Sequence, residues 1–185
     1  VIRGDDHINN TPKQINLYQA MNWPTPKFAH VPMILASDGS RLSKRHGALN
    51  LLSYRDIGLL PHALLNYIVR LGWSHGDQEI FSVDEMINLF DLSNVNNSPA
   101  SFNQEKLEWI NQSHIKTTEV NELASHLKWH LDQLNIEIDD GPNINEVIDA
   151  LRDRSKSLVD MAQSCTMFYN DFKEFDVIQA NKVFT

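Results

Sequence analysis

Ser37-Asp-Gly-Ser-Arg-Leu-Ser-Lys-Arg-His-Gly-Ala-Leu-Asn50 separates two kinds of sequence pattern. Its fourteen residues hold three cations (Arg41, Lys44 and Arg45), three serines, His46 and two glycines. Before it, short apolar runs alternate with turn residues. After it, hydrophobic residues recur with the helical period almost to the end of the chain. That switch sets the fold class: α+β, mostly α, with the α/β part first.

Working back from the loop, Asp38-Gly39 is a tight turn. Phe28 to Leu35 reads as a strand interrupted by Pro32. Thr11-Pro12 offers an N-cap with proline at the first helical position, and Ile15, Tyr18 and Met21 share a face of a helix running to about Asn22. Val1-Ile2 reads as the end of a buried strand, followed by a polar turn from Arg3 to His7. Strand, turn, helix and strand in this order form the tail of an α/β domain. The start on Val1, without methionine, suggests a segment of a longer protein.

Working forward, Pro61 opens a helix with Leu64, Leu65, Ile68 and Leu71 on its expected buried face, and Gly72 closes it. Ser82-Val-Asp-Glu85 has the form of a capping box, with Phe81 and Met86 as its hydrophobic staple. Leu107 and Ile110 mark a short helix after Asn103. Thr118 is the expected cap of a longer one carrying Val120, Leu123, Ala124, Leu127, Leu131 and Leu134. Gly141-Pro142 breaks the pattern. Asn143 restarts it, and a last helix runs through Leu158, Met161, Ala162, Cys165, Phe168 and Phe172.

The 185 residues are 42% hydrophobic and 22% charged, the composition of a globular protein with a core. The net charge of −8 conceals a division. Residues 1–75 hold eight Lys and Arg against four Asp and Glu, and the remainder holds eight against twenty. The anion-seeking part is therefore the first. A single cysteine, Cys165, excludes an internal disulfide and any cysteine-based metal site, which suits a cytoplasmic protein. No apolar run reaches the ~20 residues of a membrane span.

A nucleoside triphosphate is held by cations, hydroxyls and backbone N–H groups that can close around it. Arg41, Ser43, Lys44 and Arg45, framed by Gly39 and Gly47, supply that set, although no P-loop pattern is present. Chemistry alone leaves a solvated surface hairpin equally open.

Arg41-Leu-Ser-Lys-Arg45 resembles the "KMSKS" signature of class I aminoacyl-tRNA synthetases, in the form used by bacterial glutamyl-tRNA synthetases. The resemblance extends to "VIRGDDHINNTPKQ" at the start, "RHGA" after the loop and "LPHALLNYIVRLGWSHGDQEIF" from Leu60 to Phe81. It implies three parts: residues 1–50 as the end of a Rossmann-like catalytic domain, 51–115 as a stem-contact region and 116–185 as the start of a helical anticodon-binding bundle. By the same resemblance, Lys44 holds the migrating pyrophosphate, with Arg41 as its catalytic companion. Asp6, His7, Met33, Ile34, Arg41, Leu42, Ser43, Lys44 and Arg45 line the ATP site, and Arg3 receives the substrate glutamate. The implied partners are ATP with Mg2+, glutamate and the tRNA for glutamate; a monomer is expected, with no membrane contact.

Several positions depart from the family pattern. Arg41 replaces the first lysine of the signature, Asp6 stands where a longer glutamate also occurs, and His7 stands where a larger aromatic is found. The "HIGH" motif that grips ATP from the opposite side is missing, as are zinc ligands known in some relatives. The isolated chain is therefore expected to be inactive. Rivals are a non-catalytic tRNA-binding piece, a glutaminyl enzyme and a shortened glutamyl-transferring paralogue. The helical pattern after residue 103 opposes the glutaminyl enzyme's β-barrel, and the helices from Thr118 onward oppose the paralogue.

The remaining candidates have blander readings. Trp73, Trp109 and Trp129 sit among leucines and suit a core. His126 and His130 suit a solvated helix face, and His75 and His114 suit loops. Cys165 suits a buried apolar position.

Overall fold

β1 (Ile2–Gly4) and β2 (Ala29–Val31) run parallel, with Ile2 opposite Ala29, Arg3 opposite His30 and Gly4 opposite Val31. The structure, a computed structural model, describes residues 1–42 and 50–170. Between β1 and β2 lie a 3-10 helix (Asp5–Asn10) and α1 (Thr11–Ala20). Pro32 lacks an N–H and stops the β2 ladder, so the predicted single strand becomes two, and β3 (Ile34–Leu35) pairs in parallel with β4 (Ala100–Ser101).

The helices follow as α2 (Leu51–Asp56), α3 (Pro61–Gly72), α4 (Val83–Leu89), α5 (Gln104–Thr117), α6 (Val120–Gln133), α7 (Ile144–Leu151) and α8 (Leu158–Tyr169). The fold is α+β and mostly helical, as the pattern switch after the loop predicts. The chain forms two compact units: Val1–Ser53 with Pro61–Ile110, and Tyr54–Leu60 with the chain from Asn111 onward.

In the first unit, Ala63, Leu64 and Tyr67 of α3 are buried with Trp73, Phe81, Met86, Leu107 and Ile110. The Ser82–Glu85 capping box forms in full, and Phe81 and Met86 pack in one cluster with Trp73. Buried Asn66 ties the chain after α3 to the helix itself, donating to the Glu79 carbonyl and accepting from Phe81 N–H. Arg70 grips the Glu79 carboxylate at 2.8 and 3.0 Å, and Lys106 approaches it at 3.0 Å. The Arg70 hydrogen bond is the main reason the Glu79 carboxyl titrates below its ordinary range.

In the second unit, Leu123, Leu127 and Leu131 of α6 are buried with Val147, Ile148 and Leu151 of α7 and Leu158, Met161, Ala162 and Cys165 of α8. Asn111 is the buried polar centre. Its amide donates to the carbonyls of Gly58 and Lys156, and its oxygen accepts from Leu60 N–H. Gly58 is left-handed (φ 86°), and a Cβ there would lie 2.6 Å from Val159 N, so glycine is required.

Several local expectations differ from the structure. Thr118 does not cap α6; its hydroxyl returns to the His114 carbonyl, and Glu119 caps the helix through Asn121 and Glu122 N–H. Thr11 is likewise not the cap: it is the first residue of α1, Asn10 precedes it without a side-chain cap bond, and the Thr11 hydroxyl meets Arg3, His7 and His30 instead. Leu65 and Ile68 are exposed because α3 buries the face of Ala63, Leu64, Asn66 and Tyr67 instead. His114 lies buried within α5, and His130 is buried within α6 beside Trp129. Trp109 is exposed, and Val1 and Ile2 are exposed rather than interior to the strand layer.

Candidate functional site

β1 and β2 end side by side. The chain leaves β1 through Gly4, where a Cβ would fall 2.6 Å from Asp6 Oδ1 and 3.9 Å from Met33 Sδ. A side chain at Gly4 would push the Asp6 carboxylate aside, so glycine leaves the 3-10 turn room to fold Asp6 back against the end of β1. Open α/β sheets bind ligands past the carboxyl ends of their strands.

The loop that opens at Ser37 starts at this place. Gly39 takes a left-handed φ of 78°, and the Asp38 carboxylate accepts from Ser40 N–H and hydroxyl at 2.9 and 2.7 Å. The turn sends Arg41 and Leu42 back along β3: Arg41 bridges Leu35, and Leu42 N–H donates to the Ile34 carbonyl at 3.0 Å. Arg41 Nη2 thereby reaches Asp6 Oδ2 at 3.2 Å, and His7 Nε2 lies 4.0 Å from Asp6 Oδ1. With side chains 67% and 34% exposed, the Arg41–Asp6 pair contributes about 0–1 kcal/mol, so Arg41 can exchange Asp6 for another anion at little cost.

Six predicted site residues therefore converge: Asp6, His7, Met33, Ile34, Arg41 and Leu42. Beside Met33 and Ile34 lies an apolar groove of about 210 Å³ whose other wall includes Ile68 and Leu71. This gives a use to the exposed hydrophobics of α3. Ser43, Lys44 and Arg45 lie outside the described residues.

Arg3 occupies a second position. Its Nη2 donates to Thr11 Oγ1, its guanidinium lies over the Phe28 ring at 5.2 Å, and its Nε is buried with no partner among the described residues. Thr11 Oγ1 also lies 2.9 Å from His30 Nε2. Thr11, His30 and Phe28 were not legible as site residues in the sequence, because only the β1–β2 register puts His30 beside Arg3.

The structure thus brings together two parallel strand ends, an exposed cation, an apolar groove, and a second arginine whose buried Nε has no partner among the described residues. Residues 1–109 match the family "tRNA synthetases class I (E and Q), catalytic domain". The chain belongs to that family. Two curated glutamate–tRNA ligases resemble it. That of Ruthia magnifica subsp. Calyptogena magnifica is 61% identical over 95% of this chain and 39% of the relative. That of Vesicomyosocius okutanii subsp. Calyptogena okutanii is 59% identical over 100% of this chain and 40% of the relative. The chain thus spans about 40% of the length of these relatives. Among solved structures, the glutamate tRNA ligase of Elizabethkingia meningosepticum in complex with its amino acid superposes with a TM-score of 0.80 at 31% identity, covering 100% of this chain and 40% of that one. The glutamate-tRNA synthetase of Elizabethkingia anophelis gives 0.79 at 31% identity over 98% of this chain and 40% of that one.

Proposed function

We propose that the chain is part of a glutamate–tRNA ligase and supplies one side of its adenylation site. The supporting observation is the placement of Arg41 against Asp6 at the ends of two parallel strands, with Met33 and Ile34 beside it. In the complete protein, a carboxylate oxygen of glutamate attacks the α-phosphorus of ATP, and the bond to pyrophosphate breaks. The terminal ribose hydroxyl of the tRNA then attacks the carbonyl carbon of the glutamyl-adenylate and gives up its proton, forming the glutamyl ester as the bond to AMP breaks and AMP leaves. Asp6, His7, Met33 and Ile34 border the nucleoside, and Arg3 receives the glutamate carboxylate through the bidentate donors of its guanidinium.

Lys44, with Arg41 and Arg45, neutralises the pyrophosphate as charge moves onto it, and Leu42 and Ser43 complete the loop. Such catalysis consists of positioning and charge stabilisation, with no side-chain nucleophile. Magnesium enters with ATP as the substrate complex. In this reading residues 1–50 complete the catalytic domain, 51–115 contact the tRNA stem, and 116–185 begin the anticodon-binding bundle of a cytoplasmic monomer. The glutamate–tRNA ligases at 59 and 61% identity favour this over a glutaminyl enzyme.

In the complete protein, Lys44→Ala lowers the single-turnover rate of adenylate formation by about 10²-fold or more while glutamate affinity stays within a fewfold. A rate close to that of the unaltered enzyme removes Lys44 from the reaction.

A further inference from the structure

We infer that Thr11 and His30 are positioning residues that hold the Arg3 guanidinium in its substrate-receiving orientation. The inference rests on the reading of Arg3 as the glutamate-binding cation.

Arg3 and His30 are register partners on β1 and β2, so their side chains leave the strands toward the same face. Thr11, the first residue of α1, comes down onto that face. Its hydroxyl stands between Arg3 Nη2 and His30 Nε2, the latter at 2.9 Å. A threonine hydroxyl has one proton and two lone pairs. One lone pair accepts from Arg3, which can only donate, so the proton is free for His30 Nε2 when that nitrogen is unprotonated. Among the described residues, the other acceptor for that proton is the His7 carbonyl, at the longer distance of 3.4 Å.

The chain Arg3–Thr11–His30 fixes one edge of the guanidinium, and the Phe28 ring at 5.2 Å fixes its plane. With edge and plane both fixed, Nε remains buried and unpaired among the described residues. An unsatisfied buried donor of this kind is costly unless a ligand satisfies it. Thr11 and His30 therefore act through Arg3 and touch no substrate. They lower the ordering cost of a bidentate carboxylate contact, which is how a supporting shell raises affinity.

The test uses the complete ligase that carries this chain and measures KM for glutamate and for ATP in parallel by pyrophosphate exchange. Thr11→Val keeps the shape and removes the hydroxyl; Thr11→Ser keeps the hydroxyl; His30→Phe keeps a ring and removes the acceptor nitrogen; Arg3→Lys is the reference. Thr11→Val raises KM for glutamate about tenfold and leaves KM for ATP within about twofold, His30→Phe moves in the same direction, and Thr11→Ser stays near the unaltered value. If Arg3→Lys raises KM for glutamate while Thr11→Val and His30→Phe do not, the inference is overturned and the Arg3 reading stands. If Arg3→Lys is also without effect, the Arg3 reading fails first. Equal rises in both KM values, or loss of folding in both the Thr11→Val and His30→Phe variants, make the pair merely structural and equally overturn the inference.

Discussion

Arg41 is held to Asp6 by one exposed contact, whereas Arg3 is restrained along an edge and over a ring plane. The difference suits the two proposed roles, Arg41 following a migrating phosphate and Arg3 recognising a fixed carboxylate. Away from the site, two titratable residues give checks on the helical unit. His130 is buried, and desolvation first and the Arg55 charge second hold its pKa below the ordinary 6.5. Because the folded pKa is the lower one, the unfolded chain binds more protons as pH falls through this range. Stability is complete above about 6.5 and is lost as pH drops through the folded value. His130→Gln flattens the urea-unfolding midpoint measured between about pH 7.5 and 5 relative to the unaltered chain. Cys165 is fully buried, and desolvation raises its thiol to about 11. It therefore resists alkylation at neutral pH until denaturant is added, and rapid modification of the native chain contradicts this packing.

At the level of elements, Asn111 joins two separate backbone stretches of the helical unit, Gly58 to Leu60 and Lys156, through three hydrogen bonds. Asn111→Leu strands two carbonyls and one N–H in a buried place and lowers unfolding free energy by at least about 2 kcal/mol, read from chemical denaturation. A loss within about 0.5 kcal/mol means that water satisfies those groups.

Elements with strong local chemistry were legible before the structure: the Ser82–Glu85 box, Pro61 to Gly72, and the α6 stripe of Leu123, Leu127 and Leu131. Caps were legible only where one hydroxyl had one use. Thr11 and Thr118 look like caps in the sequence, yet tertiary contacts recruit the first and the His114 carbonyl recruits the second. The buried face of α3 was misread because Asn66 and Tyr67, both able to hydrogen-bond, are buried in place of Leu65 and Ile68. Of the candidate site, Arg41 just after the Asp38-Gly39 turn was legible from composition and spacing, while Lys44 and Arg45 lie outside the described residues. The Arg3–His30 pairing was not, because it depends on register between strands 25 residues or more apart.

At the scale of the whole molecule, the family match covers residues 1–109, and the chain spans about 40% of the length of the relatives it matches. The first unit brings cations and an apolar groove to the strand ends. The proposal places the opposing ATP contacts in sequence that this chain does not contain. Accordingly, the 185-residue chain purified by itself gives no ATP–pyrophosphate exchange above background, with or without glutamate and tRNA. Measurable exchange means that this chain holds a complete adenylation site.

The central claim is that Arg3 and the Asp6–Arg41 cluster face one bound glutamyl-adenylate. It is tested most directly by a crystal structure of the complete ligase with a non-hydrolysable glutamyl-adenylate analogue. The account predicts Arg3 nitrogens about 3 Å from a glutamate carboxylate, still hydrogen-bonded to Thr11, with Met33 and Ile34 along the adenosine. An analogue bound elsewhere, with Arg3 touching only Thr11 and Phe28, contradicts it.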